Sequence, residues 1–246
     1  MTNVLVIIII SLVGPLIGSL LGVFKKYNAN QIHHMLSFAA GVMVFVSALQ
    51  LLPESYKKVS PALLIVGVLF GGLVMHILNK LIPHYHHSRS GLESRAEKLK
   101  RLALFIFLGI FIHNLPEGIA IGIGALPGFN FSILIALAIA IHDIPEAICV
   151  AAPLYYSTGK KFKSFLLTFL TVIPTIAGFL LTYYFFKNIS GFLLGLIISA
   201  TAGVMLYISF WELLPEVMSQ KGKKLKYLPS FLVGSVLVLI LQILFK

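Results

Sequence analysis

Eight stretches of this chain are apolar for about 20 residues or more, the length a helix needs to cross a hydrocarbon core of roughly 30 Å. They run Val4 to Phe24, Ile32 to Leu52, Leu63 to Ile82, Leu102 to Leu126, Phe129 to Tyr156, Phe165 to Phe186, Ile189 to Leu214 and Leu228 to Phe245. Lipid offers the backbone no hydrogen-bond partner, so spans of this length must satisfy their own amides as helices. The expected fold is all-α, a polytopic membrane protein of eight transmembrane helices. With 59% of its residues hydrophobic and 11% charged, the chain does not read as an ordinary soluble domain. Its first stretch has no basic flank before it and no small-residue cleavage site after it, and is expected to be a retained helix.

In a soluble protein the net charge of +11 would suggest nucleic acid. Here the basic residues lie between the apolar stretches, and no nucleic-acid partner is expected. Fifteen of the nineteen fall on one side: Lys25 and Lys26; Lys80, Arg89, Arg95, Lys98, Lys100 and Arg101; Lys160, Lys161 and Lys163; Lys221, Lys223, Lys224 and Lys226. Lys57, Lys58, Lys187 and Lys246 fall on the other. The positive-inside rule then puts both termini outside a cell membrane. Cys149 is the single cysteine, so no disulfide can form within the chain.

The connections are short, and residues 1–246 read as one transmembrane domain. The longest connection, about 83–101, carries His84, His86 and His87, which are candidates to hold or sense metal and would equally suit a solvated polar loop.

The chain also echoes itself. "AGVMVFVSALQLLPE" (Ala40 to Glu54) returns as "AGVMLYISFWELLPE" (Ala202 to Glu216), with nine of fifteen positions identical and an offset of 162. The copies lie on the second and seventh helices and run in opposite directions. "IHNLPEGI" (Ile112 to Ile119) returns as "IHDIPEAI" (Ile141 to Ile148), offset by 29 on the next, antiparallel helix. Both echoes suit one pseudo-two-fold axis in the membrane plane, relating helices one to three with six to eight, and four with five. Secondary transporters are often built this way, with the site near the midplane where the repeats meet.

The second echo carries the chemistry. His113, Asn114 and Glu117 project from adjoining parts of one helical face, as do His142, Asp143 and Glu146 on the next helix. An ionisable side chain at the bilayer centre costs about 2.5–3.5 kcal/mol on insertion scales, so three unpaired carboxylates would cost on the order of 10 kcal/mol. No lysine or arginine lies nearby on either helix. A divalent cation supplies the missing charge, since two imidazoles and two carboxylates are ligands that zinc accepts. Asn114 and Asp143 add an oxygen-rich second position sharing Glu117 and Glu146, which makes room for two ions. Pro116 and Pro145 are expected to kink their helices and free the carbonyls of Ile112 and Ile141. The competing reading, polar groups that only fix the fold, suits a lone histidine better than a duplicated H-[N/D]-x-P-E.

With these residues the chain resembles the Zrt/Irt-like (ZIP) family of divalent metal transporters, in its compact prokaryotic-type branch, over essentially its whole length. Eight spans, outward termini, a histidine-bearing third loop, "HNLPEG" on helix four and H-x-x-x-E on helix five carry the likeness. The resemblance implies uptake of zinc, and in some members of iron, manganese, cobalt or cadmium, into the cytoplasm. It places His113, Asn114, Glu117, His142, Asp143 and Glu146 as ligands. Many relatives have a glutamate before a proline on helix six, where this chain has Ile173 before Pro174.

Gln50 with Glu54, near the outer surface, and Glu212 with Glu216, near the inner one, occupy equivalent repeat positions. They are candidate way stations, though Glu54 and Glu216 read rather as solvated helix ends, and Glu212 reads equally as either. His76 reads as a buried or interfacial histidine, and His33 and His34 receive no role. Cys149, three residues after Glu146, could reach the site but more often such a cysteine is a small hydrophobe. Gly14, Gly18 and Gly22 form a close-packing stripe that would also serve a homodimer. No G-x-x-x-x-G-K-[ST] loop appears, so energy coupling by a nucleotide is not expected. The rival functions are a metal-selective channel and a membrane-embedded metal hydrolase; H-E-x-x-H is absent, and the paired motifs offer all their groups as ligands.

Overall fold

The computed structural model describes residues 2–81, 95–125, 129–185, 190–219 and 224–244. Among these, seven helices are long and apolar enough to span a membrane: α1 (Thr2–Val23), α2 (Ala29–Tyr56), α3 (Pro61–Leu81), α4 (Arg95–Gly124), α5 (Phe129–Thr158), α6 (Lys161–Tyr184) and α7 (Gly191–Met218). An eighth, α8 (Leu228–Leu244), is apolar and shorter. The all-α architecture and the order of eight apolar helices agree with the sequence. The boundaries differ most at α4, which begins seven residues before the expected Leu102 because polar residues 95–101 continue its helical ladder.

Three helices depart from regular α geometry, each beside a proline. In α2 the segment Ser47–Leu51 widens to π-helix, and in α7 Ile208–Leu213 does the same. Pro53 and Pro215 lack the amide that would bond four residues back, and the ladder relaxes so that Leu52 N–H reaches Ser47 O and Leu214 N–H reaches Ser209 O. The freed Leu49 carbonyl accepts from Gln242 Nε2 at 3.3 Å. In α6 the helix breaks between Lys161–Phe169 and Val172–Tyr184. Pro174 cannot donate to Leu170 O, and Ile173 N–H takes that carbonyl at 3.1 Å instead, while Thr171 N–H bonds Thr168 O at 3.0 Å. By contrast α4 and α5 run on as helix through Pro116 and Pro145.

The packing obeys the axis expected from the echoes. α1 lies along α5 and α6 along α4; α3 lies along α7 and α8 along α2. Exchanging one to three with six to eight, and four with five, turns each pair into another. The close approaches match residue by residue: Gly41 lies on the Phe231 carbonyl and Gly203 on that of Val68; Gly234 lies on Phe38 O and Gly71 on Ala200 O; Gly18 lies on Ile144 O and Gly178 on Leu115 O. Apolar burial cannot pull helices together within lipid, so backbone contact at small residues does. Gly14 and Gly22 also face α5, at Ala140 and Ala151. The glycine stripe of α1 is therefore consumed within the chain, and it is not a homodimer face. Leu69, Phe70, Val233 and Ile243 point outward, as residues meeting lipid tails do.

Two apolar clusters flank the centre. One joins Leu36, Met43, Phe105, Ile106, Met205, Ile208 and Val238; the other joins Ile7, Ile121, Ala136 and Phe179. The polar residues of α4 and α5 lie between these clusters.

Candidate metal centre

All six side chains singled out on α4 and α5 are buried: His113, Asn114, Glu117, His142, Asp143 and Glu146 are each at most 4% exposed. The helices face each other with their motifs crossed. His113 Nε2 lies 3.0 Å from Glu146 Oε2, and His142 Nε2 lies 3.2 Å from Glu117 Oε1. Each histidine thus meets the glutamate of the other repeat, as the two-fold requires. Asp143 Oδ1 is 3.8 Å from His142 Nε2, and ligand atoms of Glu117, His142 and Asp143 all lie within 4.8 Å of one another. Asn114 Nδ2 donates to Thr171 O at 2.7 Å, at the break in α6.

Six polar atoms of these residues are buried without a hydrogen-bond partner: His113 Nδ1, Asn114 Oδ1, Glu117 Oε2, both oxygens of Asp143, and Glu146 Oε1. Buried polar atoms are normally hydrogen-bonded. Five of the six are oxygens, which calls for a cation. A divalent ion bound by carboxylates and imidazole would satisfy the oxygens, and nitrogen with oxygen is a donor set suited to zinc.

The other candidates divide. The Glu54 side chain is 43% exposed and pairs with Lys57 Nζ at 3.0 Å and Lys58 Nζ at 3.1 Å, as a solvated helix end does. Gln50 lies in the π segment of α2 and is half-buried. Glu212 lies in the equivalent segment of α7 and accepts from Asn79 Nδ2 at 2.8 Å. Glu216 corrects the expectation of a solvated end: it is 7% exposed, held between His33 Nε2 at 3.4 Å and Lys98 Nζ at 2.6 Å. Glu212 and Glu216 line a cavity of about 250 Å³ together with Asn79, Lys98, Arg101 and Trp211.

His33 was assigned no role from the sequence and is fully buried as the partner of Glu216. The repeat could not have signalled it, because the position offset by 162 is Gly195. His34 Nδ1 lies 2.7 Å from Ser230 Oγ. His76 is exposed and lies 3.2 Å from the Tyr207 hydroxyl. His84, His86 and His87 lie outside the described residues. Ile173 is 48% exposed, on the outer surface where an apolar residue belongs.

Cys149 does not join the site. It packs in the first apolar cluster, with Sγ 3.8 Å from Met35 O. Cys149→Ala is expected to leave zinc uptake by reconstituted protein unchanged, which a radiolabelled-zinc assay in vesicles checks.

Fold and cluster together define a multi-pass helical membrane protein with a buried histidine–carboxylate cluster, able to hold a metal ion, where the two halves of an inverted repeat meet. Comparison with known proteins agrees. The ZIP zinc transporter family model matches residues 88–242. The chain is 33% identical to the zinc transporter ZupT of Chlorobium chlorochromatii (strain CaD3), over 93% of this chain and 92% of the relative. It is 38% identical to ZupT of Streptococcus mutans serotype c, over 81% of each, and 35% identical to that of Escherichia coli O127:H6, over 86% and 85%. The chain belongs to the ZIP family.

Proposed function

We propose that this protein carries divalent cations, zinc foremost, across the plasma membrane into the cytoplasm by alternating exposure of a midplane site on α4 and α5. It is a transporter and not an enzyme, as its family membership indicates. The observation that carries the site is the crossed pairing of His113 with Glu146 and His142 with Glu117, surrounded by six buried polar atoms that no protein group satisfies.

In this reading His142, Glu117 and Asp143 hold one ion, and His113, Glu146 and Asn114 oxygen complete a second position beside it. Charge accommodates one ion or two: three carboxylates carry −3, which one dication leaves at −1 and two bring to +1, each one charge from neutral. Gln50 and Glu54 serve the outer approach and Glu212 and Glu216 the inner exit, with both termini outside. The whole chain forms one transmembrane domain, with His84, His86 and His87 in its cytoplasmic loop.

The test is uptake by vesicles reconstituted with the purified protein. Zinc enters with a saturable rate, and anomalous scattering at the zinc edge locates the ions. Uptake no faster than in protein-free vesicles would overturn the reading. His142→Ala removes the one nitrogen of the Glu117 triad and leaves oxygens, which suit manganese better than zinc. The ratio of zinc to manganese uptake is expected to fall by about tenfold, measured by competition in the same vesicles.

A further inference from the structure

We propose that the break in α6 is a positioning device for Asn114: the Thr171 main-chain carbonyl holds the Asn114 amide so that its oxygen faces the transported cation. The inference rests on the site proposed above. A carbonyl oxygen can only accept, so the group 2.7 Å from Thr171 O must be the Asn114 nitrogen. That leaves Asn114 Oδ1 buried and unpartnered, one helical turn from Glu117, whose Oε2 is likewise open. Turned the other way, the amide would bring two oxygens together at Thr171 and present N–H groups to a cation.

The same contact accounts for the one chemical difference between the two H-[N/D]-x-P-E motifs. Asn114 and Asp143 are equivalent under the 29-residue offset, yet Asn114 donates to the broken helix while neither oxygen of Asp143 accepts a hydrogen bond from the protein. α1, the counterpart of α6, runs unbroken from Thr2 to Val23. An ionised carboxylate at position 114 would confront the Thr171 carbonyl with no hydrogen to share, a buried acceptor against an acceptor. Asparagine is therefore required on this repeat even though a carboxylate would add charge favourable to a dication.

Two variants test this through the concentration dependence of zinc uptake in vesicles. The exchange Asn114→Asp with Asp143→Asn conserves both net charge and the set of donors. It is expected to raise the KM for zinc by about tenfold or more, the usual effect of losing a ligand's orienting partner. Pro174→Ala changes none of the six site residues but restores an amide that closes the α6 ladder across the break, turning the Thr171 carbonyl along the helix axis. It is expected to raise KM comparably, with a melting temperature no lower than wild type.

A wild-type KM in either variant overturns the proposal, and if the exchange cannot be purified, Pro174→Ala alone decides. Glu117→Ala run alongside separates the two levels: wild-type uptake there would mean that the cation site itself is misplaced.

Discussion

Replacing Glu117 or Glu146 with alanine reduces zinc uptake by reconstituted vesicles to that of protein-free vesicles. Each carboxylate bonds the histidine of the opposite helix and keeps a second oxygen buried without a hydrogen bond. Losing one removes a ligand and a negative charge together, and with it the orientation of the facing imidazole. Folding should survive. An ionised group at the bilayer centre costs about 2.5–3.5 kcal/mol on insertion scales, and the histidine left behind can stay neutral and needs no counter-charge. The melting temperature of either variant is therefore expected to match or exceed that of wild type without metal, while zinc no longer raises it. Thermal shift in detergent, with and without zinc, reads both effects. Uptake at the wild-type rate by a well-folded Glu117→Ala protein would contradict the assignment.

The second large effect is on assembly. Gly18→Leu and Gly178→Leu are each expected to lower stability by about 3 kcal/mol or more, because overpacking here pushes against backbone. A Cβ at Gly18 would be driven onto Ile144 O and 2.6 Å from Ala147 Cβ; one at Gly178 would meet Leu115 O and lie 2.9 Å from Ile119 N. Neither neighbour can swing aside as the end of a flexible side chain does. These two positions fasten α1 to α5 and α6 to α4, the helices that bear the cluster. Gly72 is the control, since nothing lies within 4 Å of a Cβ there. Gly72→Ala is expected to stabilise by roughly 0.5–1 kcal/mol, the ordinary gain of removing glycine from a helix interior. Size-exclusion profiles after heating distinguish the three proteins.

Much of the molecule was legible before any coordinates. Spanning length and the demand for satisfied amides dictate eight helices, and the two echoes, offset by 162 and 29, reveal the axis that the glycine contacts then obey. The six polar residues stand out because lipid makes such groups costly, so their presence on adjacent spans signals chemistry. What remained hidden concerns partners remote in sequence. His33 and Glu216 are 183 residues apart, and Lys98 comes from a third helix, so no local pattern announces that Glu216 is buried.

The sequence by itself determined the helices, their inverted relation and which polar groups share the buried cluster's two motifs, because periodic apolarity, repetition and charge are properties of the chain read in order. Only the tertiary structure decided that each histidine pairs with the glutamate of the other repeat, that α1 spends its glycines on α5, and that Asn114 leans on a carbonyl at the break in α6. Those choices depend on which atoms come within hydrogen-bonding or van der Waals reach, and that distance is set by how whole helices pack.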